Sequence, residues 1–136
     1  MTDIQAAIAA AASGMRAQTV RMRVAAENVA NANSTGANPG EDPFRRRIPL
    51  MENTTLASGA QGVRVRGAAL DMTAFRQEFN PNHPAAGADG YVNLPNVDTL
   101  VEMMDLREAT RAYEANLNMI EAARSMTTRA LDLLRR

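Results

Sequence analysis

Along the first thirty residues, Ile4, Ile8, Ala11, Met15, Gln18, Met22, Ala25 and Val29 recur at alternating intervals of four and three. That is a heptad seam with one polar interruption, Gln18, and it predicts a helix that packs along another helix. About 28 residues at roughly 1.5 Å each would reach about 42 Å, too long to be buried inside a compact domain of this size. The pattern ends in AAENVANANSTG (residues 25–36), where Asn28, Asn31 and Asn33 crowd the helix terminus. Asparagine amides compete for backbone hydrogen bonds, so they suit a helix end and not its interior.

The C-terminal segment mirrors the first. LPNVD (residues 94–98) supplies Pro95, a cap at Asn96 or Asp98, and then acids in the first turn. Neither Gly nor Pro follows Pro95, and the pattern stays helical from Val97 to Leu134, roughly 57 Å at the helical rise. One seam runs through Tyr113, Leu117, Ile120, Thr127, Leu131 and Leu134, with Arg124 interrupting. A neighbouring seam runs through Ala112, Asn116, Met119, Ala123, Met126, Ala130 and Leu133. A two-helix core within one monomer, antiparallel or parallel, accounts for one apolar stripe. The second stripe points to contacts with other subunits.

Between the helices the character changes. Residues 34–95 hold seven of the eight glycines and all six prolines, a turn-rich composition. Alternation at Val63 and Val65 against Arg64 and Arg66 predicts a strand. So does Phe75 and Phe79 against Arg76 and Glu78, and so does the matched face of Phe44, Ile48 and Leu50. The expected fold is mainly α with a small β region, its long terminal helices packing as a coiled-coil-like pair around three short strands. The expected divisions are an N-terminal helix over 1–33, a β-containing middle over 34–95, and a C-terminal helix over 96–136.

Composition narrows the function classes. Three Phe, two Tyr and no Trp leave Ala and nine Met to fill the apolar quota, which suits close helix contact. Fifteen Arg balance fifteen acids, and Lys is absent, so no global charge attracts nucleic acid or membrane. Charge is nevertheless sorted. Residues 44–76 carry six Arg and two acids, residues 97–122 carry six acids and two Arg, and the last fourteen residues carry four Arg and one Asp. Such patches complement each other within one chain or between copies. No run of 18 apolar residues offers a membrane span. The apolar N-terminus carries Asp3 in place of a basic n-region, so a cleaved signal peptide is not expected.

Catalytic chemistry finds no foothold. Without Cys there is no thiolate ligand or nucleophile, and His83 is the only histidine, so no metal or cofactor is expected. Glu102 with Asp105, and Asp105 with Glu108, lie one turn apart and read as an exposed helical face. The run Arg45, Arg46 and Arg47 is the best candidate for a nucleic-acid contact. It lacks interleaved aromatics beyond Phe44, and a nucleic-acid-binding helical protein is the weaker alternative.

The run ENVANANSTG resembles the N-terminal signature of the flagellar rod, hook and hook-associated axial family. RAYEANLNMIEAARSMTTRALDLL resembles its C-terminal signature, with Tyr113, Ala115, Asn116 and Met126 in matching places. PFRRRIPL and FNPNHPAAGADGYVNLPNVD resemble, within that family, a short subunit of the proximal rod. The resemblance implies a structural, non-enzymatic protein that polymerises and transmits torque. Its implied partners are copies of itself, other rod subunits, membrane-ring and rod-adaptor proteins, and the flagellar type III export apparatus. Nucleic acid and direct membrane insertion are not among them. The implied location is the periplasmic rod of the basal body, reached without a cleaved signal. Expected subunit contacts are Ile4, Ile8, Met15, Met22, Asn28, Val29, Asn31 and Asn33 from the first helix end. Arg45, Arg46 and Arg47 join them from the middle, and Tyr113, Asn116, Leu117, Ile120, Met126, Leu131 and Leu134 from the second helix.

Overall fold

The computed structural model describes residues 2–136. Helix α1 (Thr2–Ala30) is followed by strands β1 (Arg47–Thr55), β2 (Gln61–Leu70), β3 (Arg76–Phe79) and β4 (Tyr91–Leu94). Helix α2 (Thr99–Leu134) completes the chain. The architecture is mainly helical with a small β region, as the pattern predicts. Among the described residues, no helix is long and apolar enough to cross a membrane.

The two helices pack antiparallel. Met22 meets Thr110, Gly14 faces Asn116, and Ile8 and Ile4 lie beside Arg124 and Thr127. Rising numbers on α1 thus meet falling numbers on α2. Small residues allow the close approach: Ala11, Ala25, Ala109 and Ala123 are all buried. Gly14 belongs to the same device, since a Cβ there would lie 2.8 Å from the Asn116 amide nitrogen. Helix α2 begins at Asp98, whose carboxylate accepts the Leu100 N–H at 3.0 Å. Of the two residues the sequence offers as cap, Asp98 takes the role.

Helix α2 turns one stripe inward, at positions 102, 106, 109, 113, 116, 120, 123 and 127. This stripe runs between the two predicted seams. It takes Tyr113, Ile120 and Thr127 from one, Asn116 and Ala123 from the other. Leu117, Met119, Met126, Leu131 and Leu133 remain exposed on either side. One partner helix covers an arc too narrow for both seams.

Four strands form where the alternation predicts three. β1 and β2 pair antiparallel, with the register shifting between Leu50 and Met51 so that Arg66 is left without a partner. Such a bulge bends and twists the hairpin. The hairpin packs on α1, and the Val63 N–H donates to Ser13 Oγ at 3.1 Å. β3 pairs with β4, which the alternation does not signal because only Val92 of its four residues is fully buried. Phe44 and Phe75, expected within strands, precede β1 and β3. Instead of joining a ladder, each ring sits under an arginine: Arg45 stacks 4.0 Å from the Phe75 centroid, and Arg47 lies 5.9 Å from that of Phe44. At the tip of the second hairpin, Phe79 and Tyr91 meet edge to face at 5.3 Å. Gly90 sits at φ 82° beside that pair, where any Cβ would press on the Phe79 ring at 2.8 Å.

Candidate functional site

Where α1 ends, five polar side chains from four parts of the chain converge. The Asn28 amide donates to the Arg47 carbonyl at 2.9 Å and accepts the Arg47 N–H at 3.0 Å. It therefore pairs with the start of β1 as a neighbouring strand would. One residue earlier, the Arg46 N–H donates to Asn96 Oδ1 at 2.8 Å. The Asn96 amide nitrogen in turn donates to the Asp71 carbonyl at 2.9 Å and to Thr73 Oγ1 at 3.0 Å. Two asparagines, Asn28 just before the middle region and Asn96 just after it, thus clamp consecutive residues of the RRR run.

The Arg46 side chain closes the junction by pairing with Glu102 and, at 3.4 Å, with Asp71. Glu102 also receives the Asn28 amide at 3.3 Å. Burial alone would lower the Arg46 pKa, but the bonds to Glu102 and Asp71 outweigh it and hold it raised. Asp71 is held below the usual carboxylate range by the Thr73 N–H and hydroxyl, with Arg46 adding to the effect. One turn along, Arg21 pairs with Asp105 and, at 3.3 Å, with Glu108. Those bonds raise its pKa, the Asp105 hydrogen bond foremost.

The charge sorting in the sequence is therefore answered inside the chain at these positions. Glu102 corrects one expectation: instead of lying on an exposed acidic face, it is 1 % exposed on the inward stripe of α2. A carboxylate can stay there because Arg46 and Asn28 both meet it. An acid on an otherwise apolar heptad position, opposite a lone basic run, is the signal that would have identified it. The sequence pattern offers Asn96 only as a helix cap and carries no signal at Asp71.

The other sequence candidates distribute unevenly. Asn31 stays local, donating to the Glu27 carbonyl at 2.9 Å and accepting from Ser34 Oγ at 3.1 Å. Asn33 is exposed. Arg45 donates to the Asp71 and Thr73 carbonyls at 2.9 and 3.0 Å, and Arg47 reaches Glu27 at 3.8 Å. Ile4, Ile8, Met15, Met22, Val29, Tyr113, Asn116 and Ile120 are half-buried along the helix pair. Leu117, Met126, Leu131 and Leu134 are exposed. His83 accepts the Ala85 N–H at 3.0 Å within a turn.

The junction and the open end of α2 are structural features, and sequence comparison puts them in context. Residues 88–133 match the family described as flagellar basal body rod FlgEFG protein, C-terminal. Over 136 residues the chain is 41% identical to flagellar basal-body rod protein FlgC of Agrobacterium fabrum, covering 99% of this chain and 98% of that one. The proteins of the same name from Bacillus subtilis and Aquifex aeolicus are 37% and 34% identical. These alignments cover 90% and 97% of this chain, and 92% and 98% of the relatives. The chain belongs to the FlgC family of flagellar basal-body rod proteins. In this FlgC-family chain the C-terminal match runs from the turn before β4 through nearly all of α2. That segment supplies Asn96 and Glu102 to the junction. It also carries the exposed Leu131 and Leu133 near the far end of α2.

Proposed function

We propose that this chain, a basal-body rod protein by family, is a structural subunit of the flagellar proximal rod that polymerises through its terminal helices and carries torque. The observation that carries this reading is the open surface of α2. Only Glu102, Ala109 and Ala123 of its 36 residues are fully buried. Leu133 and Leu134 are 74% and 84% exposed, and Met119 and Met126 lie open along the outer flank. A helix so long and so apolar on its free face calls for further helices from neighbouring subunits. Torque would then pass through packed, interlocking side chains, which deform little. On this reading the protein is not an enzyme. It works in the periplasmic part of the basal body and reaches it through the type III export apparatus without a cleaved signal. Its neighbours there are copies of itself, other rod subunits and the membrane-ring and rod-adaptor proteins.

Removing residues 127–136 tests the reading. Leu131, Leu133 and Leu134 would each contribute on the order of 1.5–3 kcal/mol on burial between subunits. The truncated chain should still be exported but should be absent from purified basal bodies. Its stable incorporation into rods would overturn the assignment of this helix end to polymer contacts.

A further inference from the structure

We infer that the basic, leucine-bearing end of α2 docks on the aromatic face of the β3–β4 hairpin of another copy of this chain. This rests on the rod reading above and names one contact within it. Ile4 already lies beside Arg124 and Thr127, so the last residues of α2 run past Thr2, where α1 begins. Met126 and Leu133, and beside them Arg129 and Arg136, repeat at seven residues and so share one side of the helix. Met126, Leu133 and Leu134 are exposed. Arg124, Arg129, Arg135 and Arg136 accompany them with Asp132 as the only acid, and among the described residues none of the five forms an ion pair. This end is an apolar face with net positive charge. Its occupant must offer apolar surface and carboxylates together.

The second hairpin has that combination. Phe79 opposes Tyr91 and Gln77 opposes Asn93, so all four side chains share one face of the sheet. Both rings stand open, Phe79 at 63% exposure and Tyr91 at 46%. Glu41 and Asp89 border the same face, lining with Gln77, Tyr91 and Asn93 a cleft of about 230 Å³. Residues 37–44 and 77–93 hold four acids, Glu41, Asp42, Glu78 and Asp89, and no arginine. All four acids are exposed, and none forms an ion pair among the described residues. Arg45 and Arg76, which border these segments, are turned to backbone carbonyls. Leucines and arginines of the helix end thus meet rings and carboxylates, a pairing that also suits arginine over an aromatic face. The larger depression between β1 and α2 does not suit this end, because four arginines against two acids line it.

The chain's own helix end cannot reach its own hairpin. β4 leads into the first turn of α2, and 36 residues of helix, about 54 Å at the helical rise, carry the last turn away. The occupant comes from another subunit, and the contact is head to tail. Such heterologous contacts extend an assembly instead of closing it.

The two open rings give a direct test. A photoreactive residue replaces Phe79, and separately Tyr91, in the full chain, and basal bodies are irradiated and purified. The expected product joins either position to a peptide from residues 124–136 of this chain. Joining to any other segment, or to another protein, overturns the inference. In a second arm, Arg129→Glu with Arg136→Glu should lower the yield about tenfold. Arg129→Lys with Arg136→Lys, which keeps both charges, should leave it within about twofold. Circular dichroism of each chain checks that the helices persist. Unchanged yield from the folded Glu variant, or an equal loss from the Lys variant, overturns the inference. The chain present in rods with no cross-link at either position sinks the hairpin contact alone, whereas absence of the unaltered chain from basal bodies sinks the rod reading as well.

Discussion

The two ends of the antiparallel pair are built on different principles. At the junction end, the β1–β2 hairpin covers α1, and Asn28, Arg46, Asn96 and Glu102 tie helix to strand by directed bonds. At the far end, Ile4 and Ile8 of α1 lie beside Arg124 and Thr127 of α2, and the last leucines of α2 face outward. Directed polar bonds fix one geometry, because a misplaced partner leaves a buried group unsatisfied. Apolar faces are less selective and can accept a neighbour's helix. One end of the chain thus defines its own shape, and on the proposed rod reading the other is left for assembly.

The sharpest way to break this contrast is at Glu102. Replacing it with Leu leaves Arg46 without its principal partner and the Asn28 amide short of an acceptor. Losing one side of a buried pair costs about 3–5 kcal/mol. Since the Arg46 side chain is 24% exposed, about 3 kcal/mol is expected in a urea titration. A loss below about 1 kcal/mol would mean that the junction does not hold the hairpin to the helices.

Asn28→Ala should have a smaller effect, about 2 kcal/mol. It frees the Arg47 N–H and carbonyl, but Arg47 lies near enough to solvent for water to take over in part. A companion Arg47→Ala, which keeps the backbone groups, should cost much less. Equal losses would show that the side chain, and not the amide clamp, carries the contact.

The smallest effect concerns the unmodified chain. Hydrogen exchange should be slowest around residues 20–29 and 102–113. It should be at least tenfold faster at residues 3–10 and 125–134, about 1.4 kcal/mol lower in opening energy. In assembled rods that difference should vanish. Uniform protection in the monomer would mean that the far end needs no neighbour.

Much of this plan was legible from consecutive residues. The heptad run from Ile4 to Val29, the absence of Gly and Pro after Pro95, and the turn-rich middle are local signals, and each predicted its element. The candidate junction was only half legible. The asparagines and the arginine run stood out, but Glu102 read as one more surface acid because its partners lie 56 and 74 residues away. β4 escaped because four residues with one buried side chain carry too little alternation to count.

The sequence by itself therefore determined the helices, their lengths, and an apolar surface wider than one partner can cover. Periodicity of three and four residues is a property of neighbours along the chain, and it survives without knowledge of the fold. Only the tertiary structure decided that the helices run antiparallel, which alternate members of the two seams turn inward, and that the hairpin lies on α1. Those choices depend on satisfying Asn28, Arg46, Asn96 and Glu102 together, and groups so far apart in sequence meet only once the whole chain has closed around them.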